Sequence, residues 1–140
     1  MSFRIRIAWL FAALLVIPSL ASCASARKQA LRTKDSLEQS ARSYNEALRW
    51  GQFEKAVGFV APEDRERWLA SVQNVDKDIR YTEVRIGHID IPADRTEDAT
   101  VTITRTFFRT NDLSERSETL MQRWYQKEKR WYVRVEAAGK

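Results

Sequence analysis

Apolar residues in the first part of the chain recur with a helical period. From Asp35 they are spaced by three and four residues, which places them on one face of a helix. The members of this stripe are Leu37, Ala41, Tyr44 and Leu48. Gly51 follows where the stripe stops, and glycine readily adopts the left-handed conformation that closes a helix. We therefore predict a first helix that begins near Asp35 and ends at Gly51.

Two shorter helices are predicted next. One face of the first carries Phe53, Ala56, Val57 and Val60. Pro62 favours the first turn of the other helix, because proline lacks only an amide hydrogen that this turn does not use. The apolar face of that helix carries Trp68, Leu69 and Val72. The polar segment Asn74–Asp78 is expected to form a turn.

From Ile79 onward the apolar period changes to two, which is typical of strands with one buried face. The alternation slips near Glu83 and again near Gly87 and His88, and such slips indicate β-bulges. The four predicted strands are Ile79–Ile91, Ala99–Thr110, Arg116–Gln126 and Arg130–Glu136. Helices followed by an antiparallel meander predict an α+β fold, in which the helices pack on one face of a curved four-stranded sheet.

The composition fits one compact domain and excludes some partners. The chain has 140 residues, of which 44% are hydrophobic and 31% charged, and five are tryptophan. These values are typical of a globular domain rather than a disordered chain. The net charge is +5, and the basic and acidic residues are interspersed. Nucleic-acid binding usually requires a basic stripe, so we expect no nucleic-acid partner.

The beginning of the chain has the pattern of a secretory signal peptide. Arg4 and Arg6 precede an uncharged apolar run, Ile7–Ile17, that is 11 residues long. A helix needs about 20 residues to cross a bilayer, so this run is too short to span one. A basic segment, a short apolar core and small residues before a cleavage site are the parts of a signal peptide. We predict that residues 1–22 are removed.

The segment Leu20-Ala21-Ser22-Cys23 resembles the lipobox of bacterial lipoproteins, which is an aliphatic residue, two small residues and cysteine. The resemblance implies cleavage before Cys23, a diacylglycerol thioether on its sulfur, and often acylation of the new amino group with a fatty acid such as palmitate. One acyl chain anchors weakly, at roughly 0.8 kcal/mol per buried CH₂, whereas two or three hold firmly. The alternatives are an uncleaved membrane helix, or a plain signal peptide beside which Cys23 is incidental.

The lipobox also predicts where the protein is located. Residue 24 is Ala rather than Asp, which resembles the pattern of outer-membrane lipoproteins in Gram-negative bacteria. We expect a lipid anchor in the cell envelope, on the periplasmic face of the outer membrane if the source is Gram-negative. The expected organisation is a signal peptide at 1–22, the lipidated cysteine and a polar tether at 23–34, and an α+β domain at 35–137.

The last two strands and the order of the elements resemble a known superfamily. The closing hairpin runs from Gln122 to Val133, has aromatic residues on both strands, and turns at Lys127-Glu128-Lys129. This hairpin, after helices and earlier strands, is similar to small exported domains of the NTF2-like (cystatin-like) superfamily. The resemblance covers 35–137 and implies a cone-shaped sheet wrapped around the first helix. It implies no single function, because members include enzymes, transport factors and domains without known activity.

A second resemblance gives a different architecture. The segment Tyr44–Val57 is similar to the middle of a tetratricopeptide repeat, in which a glycine turn joins two helices. A protein of that class would be a helical adaptor. About three repeats are needed for stability, and the sequence has no second copy. This alternative also requires helices in place of the strands predicted after Ile79.

His88 and Asp90 are the strongest candidates for acid–base catalysis. They are two residues apart on a predicted strand, so both side chains lie on one face and Asp90 could orient the imidazole. An envelope enzyme that uses this pair in the cone is therefore one alternative. We favour a surface histidine beside a bulge, because no further motif supports catalysis. The chain has one histidine and one cysteine, too few for a structural zinc site, and we predict no metal and no cofactor.

Three residues are candidates for ligand binding. Arg105 lies on the apolar face of the second strand, where it could bind an acidic ligand or pair with Glu83. The alternative is that Arg105 lies near the strand end and its guanidinium reaches water. Tyr81 and Trp124 could line a ligand cavity, although aromatic residues more simply form the core. We expect a non-enzymatic, membrane-anchored protein that binds a protein partner or a small ligand.

Overall fold

The computed structural model describes residues 19–73, 79–112 and 114–135. The predictions for the leader before Ser19, for the turn at Asn74–Asp78 and for Glu136 fall outside these ranges. The helices are α1 (Ser19–Arg49), α2 (Phe53–Ala56) and α3 (Arg65–Gln73), with single 3₁₀ turns at Val57–Phe59 and Pro62–Asp64. The strands are β1 (Ile79–Asp90), β2 (Asp98–Arg109), β3 (Glu115–Lys127) and β4 (Arg130–Val133).

The four strands form one sheet in the order β1-β2-β3-β4, and each neighbouring pair is antiparallel. The helices pack on one face of this sheet, because Val101, Ile103 and Trp124 belong to the same buried core as Leu37 and Trp68. The predicted α+β class, with helices on an antiparallel meander, is confirmed.

Two β-bulges lie in β1, where the sequence predicts them. The register with β2 shifts between Tyr81 and Glu83 and again between Ile86 and Ile89. The second shift allows Ile86 and Ile89, three positions apart, both to contact the core. Gly87 lies inside this bulge, and a Cβ atom there would be 3.1 Å from the carbonyl oxygen of Thr102. The close approach of the two backbones therefore favours glycine.

Helix α1 ends at Arg49, and Gly51 closes it two residues later, as the sequence predicts. The φ angle of Gly51 is +64°. The amide of Gln52 donates to the carbonyl of Ala47 at 2.8 Å, and the amide of Gly51 donates to the carbonyl of Leu48 at 3.0 Å. These two bonds form a Schellman motif, which satisfies carbonyl groups that the helix end leaves without partners.

The chain divides into two compact units between Thr33 and Lys34. In the first unit α1 begins at Ser19, so the predicted tether is helical and the predicted start at Asp35 is too late. Ala, Arg, Lys, Gln and Leu dominate residues 24–32, and these residue types have high helix propensity even when exposed. Within the described residues, no helix is both long and apolar enough to cross a membrane.

The second unit contains the core. Its buried apolar residues come from α1, from the segment around α2 and α3, and from all four strands. The ring of Tyr44 makes edge contacts with Trp124 at 5.7 Å and with Phe59 at 6.4 Å between centroids. A parallel bridge between Val60 and Val133 joins the segment after α2 to β4. The aromatic residues therefore act mainly as core, which was the simpler of the two interpretations.

The segment between α1 and β1 differs from its prediction. Helix α2 is a single turn that continues as a 3₁₀ turn, rather than a longer helix. Leu69 was predicted on the apolar face of α3, but its exposed fraction is 37%. Helix α3 buries only a narrow stripe, because Trp68 and Val72 contact the core and residues four apart share one line along a helix.

The tetratricopeptide alternative is wrong. It requires two full helices on either side of Gly51, and α2 has four residues. It also requires helices after Ile79, where the structure has strands.

The β3–β4 hairpin has a two-residue turn. Lys127 pairs with Arg130, and the φ angles of Glu128 and Lys129 between them are +52° and +63°. Positive φ at both central residues defines a type I′ turn, whose twist matches that of the flanking strands. The predicted closing hairpin is therefore confirmed.

Candidate functional site

A polar cluster lies inside the core where α1 meets β2 and β3. Asn45 and Gln122 are both buried. Each side-chain amide donates to the oxygen of the other at 3.0 Å. The amide of Asn45 also donates to the carbonyl of Ala41 at 2.8 Å. These bonds satisfy the amide groups that burial would otherwise leave without partners.

Arg105 reaches this cluster from β2. Its Nη2 atom donates to the side-chain oxygen of Asn45 at 3.2 Å, and its guanidinium lies 5.6 Å from the ring centre of Tyr81. Glu83, the partner considered from the sequence, instead forms an ion pair with Arg85 at 3.2 Å. Arg105 is therefore half-buried against helix α1, and does not pair with Glu83.

Trp124 joins the same cluster from β3. Its indole nitrogen donates to the side-chain oxygen of Gln122 at 3.3 Å, and its exposed fraction is 1%. Asn45 and Gln122 thus connect Arg105 with Trp124, and Tyr81 joins them through its contact with Arg105. The cluster consists of protein groups that bond to one another, and its arrangement holds α1 against the sheet.

Sequence reasoning missed Asn45 and Gln122, although a signal for both is present. Asn45 follows Tyr44 on the buried side of α1, and Gln122 alternates with Leu120 and Trp124 on β3. A polar residue at a position whose period predicts burial indicates a polar partner on the facing element. A search for such positions would have identified Asn45 and Gln122 as candidates for a buried polar contact.

Tyr44 contributes a second buried polar contact. The indole nitrogen of Trp68 donates to the Tyr44 hydroxyl oxygen at 3.0 Å. Burial raises the pKa of the Tyr44 hydroxyl, and the hydrogen bond from Trp68 and the charge of Arg105 oppose that rise. The hydroxyl is therefore neutral at physiological pH and acts as an acceptor for Trp68.

His88 and Asp90 do not form an organised site. Both side chains are exposed, and the residue between them, Ile89, is buried in the core. The two candidates therefore share the face of the sheet that points away from the helices, as their spacing predicts. Among the contacts of the described residues, no hydrogen bond or ion pair joins the imidazole to the carboxylate.

A groove of about 500 Å³ lies where the β1–β2 loop meets β3 and the end of β4. We call it the arginine groove. Its lining residues are Pro92, Arg95, Asp98, Ala99, Thr100, Arg123, Trp124 and Arg134. Polar groups dominate the lining, and three of its eight described residues are arginine. None of the residues singled out from the sequence as candidates lines it except Trp124.

Backbone hydrogen bonds fix the walls of the arginine groove. The amide of Arg95 donates to Pro92 at 3.1 Å, and the amide of Asp98 donates to Arg95 at 3.0 Å. Each bond closes a four-residue turn, so the loop consists of two consecutive turns. The amide of Gln126 donates to Glu97 at 2.7 Å. The loop is thereby tied to β3.

Arg134 is held in place on the other wall. Its Nη2 atom lies 3.2 Å from the Asp98 carboxylate, and its guanidinium lies 4.5 Å from the ring centre of Tyr125. The Tyr125 hydroxyl donates to Glu63 at 3.3 Å. A backbone hydrogen bond lowers the pKa of the Glu63 carboxyl, and the Tyr125 hydroxyl lowers it further. Glu63 is therefore ionised at neutral pH beside this wall.

The structure describes the backbone at Cys23 and most of the residues that could bind a metal. In the ranges that it describes, no group of three or more histidine, cysteine, aspartate or glutamate side chains is placed to hold a metal ion. Cys23 lies within α1. Its lipidation stays a prediction from the sequence.

No protein-family model matches the chain, and no curated protein matches it in sequence. The solution structure of a SEC-C motif containing protein from Rhodopseudomonas palustris is similar, with a TM-score of 0.60 and 22% identity over 75% of this chain and 80% of that chain. A crystal structure from Nostoc punctiforme, described as a protein of unknown function with a cystatin-like fold, has a TM-score of 0.45 and 15% identity over 75% and 92% of the two chains. At 22% identity, the first likeness shows a shared fold alone.

Proposed function

We propose that the protein is a lipid-anchored protein of the bacterial cell envelope whose NTF2-like domain binds a partner or a small ligand and has no enzymatic activity. The proposed lipid anchor is supported by the sequence Leu20-Ala21-Ser22-Cys23, which follows a short apolar leader. Its small residues suit a peptidase site, and the cysteine after them supplies the sulfur for the lipid.

The arginine groove supports binding as the role of the domain. Its volume of about 500 Å³ lies in the range of roughly 300–1,000 Å³ that is typical of small-molecule sites. Its walls are held by backbone hydrogen bonds, so a ligand would meet a site whose shape is largely fixed before binding.

The enzyme alternative lacks comparable support. General acid–base catalysis needs a base within hydrogen-bond distance of the substrate, and usually a second group that orients the base. His88 and Asp90 are exposed on the open face of the sheet, and neither lines the arginine groove. We therefore favour binding over catalysis.

Substitution of the cysteine tests the anchor. In cells supplied with labelled palmitate, the parent protein should become labelled and lose residues 1–22, and Cys23→Ser should take up no label because serine lacks the sulfur that is alkylated. Mass spectrometry of the amino-terminal peptide would identify the added chains.

Ser22→Ala is the matched control, since it keeps a small residue before the cysteine and should be labelled like the parent. Equal labelling of Cys23→Ser and the parent would disprove the anchor, and so would an unlabelled parent protein.

A further inference from the structure

The arginine groove has an excess of positive charge. The described lining residues include three arginines, Arg95, Arg123 and Arg134, and one acid, Asp98. The described lining residues therefore carry a formal charge of +2 at neutral pH, and the carboxylates of Asp94 and Glu63 lie next to the lining. A guanidinium presents parallel N–H donors that match the oxygens of phosphate and carboxylate groups.

Arg134 is positioned to donate to a ligand as well as to Asp98. The carboxylate of Asp98 and the ring of Tyr125 hold its guanidinium from two sides. A guanidinium has five N–H donors, and the described contacts of this one with carboxylates use Nη2 alone. A side chain that is already held loses less conformational entropy on binding.

Arg95 supplies further donors from the β1–β2 loop. The two consecutive turns of the β1–β2 loop set the position of its backbone. Its side chain is 69% exposed, and its Nε atom lies 3.6 Å from the carboxylate of Asp94. Such an exposed ion pair contributes little free energy. A ligand with a stronger negative charge can therefore replace Asp94 as the partner of Arg95.

The groove is larger than one anion. Its volume of about 500 Å³ leaves space for the group to which the anion is attached. Thr100 and Pro92 also belong to the lining. This combination fits a charged head attached to a small organic group.

We propose that the arginine groove binds a phosphate-bearing ligand, which is either a soluble phosphate monoester or the headgroup of a phospholipid, and that Arg95 and Arg134 contact the phosphate. The proposal rests on the proposed binding role of the domain. It does not rest on the lipid anchor, so the two can fail separately.

Arg95→Ala is the main test, with Arg85→Ala as its matched control. Both arginines are exposed, with 69% and 68% of their side chains accessible, and both pair with a nearby acid. Only Arg95 lines the groove. The full chain, purified in a non-ionic detergent, would be titrated with inorganic phosphate by calorimetry.

We expect Arg95→Ala to weaken phosphate binding by about tenfold or more, because a hydrogen bond to a charged group is lost. Arg85→Ala should bind like the parent protein. Equal affinity of the parent and Arg95→Ala would overturn the proposal, and so would a parent that binds no phosphate.

Asp98→Asn tests the site with a variant that should raise the affinity for phosphate. It removes the one carboxylate of the lining and keeps a similar shape, so phosphate should bind more tightly than to the parent. A variant that merely damaged the fold would bind more weakly, and circular dichroism would detect the damage. Unchanged or weaker binding by a folded Asp98→Asn would contradict the assigned site.

Two further ligands identify the source of the phosphate. Glycerol 3-phosphate represents a soluble monoester, and phosphatidylglycerol vesicles, compared with vesicles of pure phosphatidylcholine, represent an anionic lipid surface. Every variant has the same residues before the α+β domain, so the difference between the parent and Arg95→Ala reports on the groove alone. A difference with phosphatidylglycerol vesicles identifies a lipid headgroup, and a difference with glycerol 3-phosphate alone identifies a soluble ligand. No difference with either probe overturns the proposal.

Discussion

Two amide side chains in the core fix how α1 sits on the sheet. Asn45 and Gln122 exchange hydrogen bonds at 3.0 Å, and Asn45 also accepts from Arg105. A buried amide without a partner costs free energy, so only an arrangement that brings these two residues together is favourable. A core built only from apolar side chains would tolerate sliding or rotation of α1 more easily. The pair therefore contributes specificity of packing as well as stability.

Leucine at either position should destabilise the protein. We expect Asn45→Leu and Gln122→Leu each to lower the free energy of unfolding by roughly 2–3 kcal/mol, because each leaves buried partners unsatisfied. The double substitution should lower the free energy of unfolding by less than the sum of the two single effects, because it leaves neither amide without its partner. Urea denaturation measures all three values.

Gln39→Leu is the control for the amide pair, because Gln39 is exposed on the same helix. It should change the free energy of unfolding by no more than about 0.5 kcal/mol. Strict additivity of the two core substitutions would show that the residues are not coupled.

Ionisation of Tyr44 should lower the free energy of unfolding at alkaline pH. Burial raises the pKa of its hydroxyl above the ordinary value of 10.0, so the folded state retains the proton at a pH where the unfolded chain loses it. The contribution of this group to stability is therefore complete below about pH 10 and is lost as the pH rises through the raised pKa.

Comparison with Tyr44→Phe isolates this effect, because every other titrating group is present in both proteins. The parent should be more stable at about pH 8, by about 1 kcal/mol for the hydrogen bond from Trp68. This advantage should shrink as the pH rises above 10. Urea denaturation across that range measures it, and a constant difference would contradict the assignment.

At the scale of elements, the β3–β4 turn contains a local conflict. A type I′ turn places both central residues at positive φ, which asparagine and glycine tolerate best. This chain has Glu128 and Lys129 there, at +52° and +63°. A non-glycine residue in this region is less favourable by about 1–2 kcal/mol. The paired strands and the aromatic residues around them offset that cost.

Replacement of the turn by asparagine and glycine should stabilise the protein. We expect the double substitution Glu128→Asn and Lys129→Gly to raise the free energy of unfolding by about 1 kcal/mol. Lys129→Ala is the control, since alanine keeps the Cβ atom and should have little effect. Thermal and urea denaturation measure the change, and an unchanged or lower stability of the double variant would be inconsistent with the turn geometry.

The sequence predicts some elements better than others for a physical reason. Strand β2 alternates regularly over many residues, so its bounds are recovered closely, and the breaks in the alternation of β1 locate its bulges. The region between Gly51 and Gln73 consists of single turns and one short helix. So few residues cannot display a period, and Leu69 was assigned to the buried face on spacing alone.

At the scale of the whole molecule, the fold class could be predicted, but the arginine groove could not. The spacing of apolar residues and the order of the elements can be read from the sequence alone, and they predict helices on an antiparallel meander. The groove is assembled from the β1–β2 loop, from Arg123 and from Arg134, which are far apart in sequence. Each arginine resembles an ordinary surface residue until the sheet brings the segments together.

Helix α1 begins before the proposed cleavage site, and this has an electrostatic consequence. Removal of residues 1–22 would leave Cys23 as the first residue of the helix. Its new ammonium group would lie at the positive end of the helix dipole, which opposes positive charge by about 0.3–1 kcal/mol. The four residues Cys23–Ala26 include no acid to compensate. Acylation of this amino group removes the charge, so the step that adds a further chain to the anchor would also stabilise the first turn of the helix that carries it.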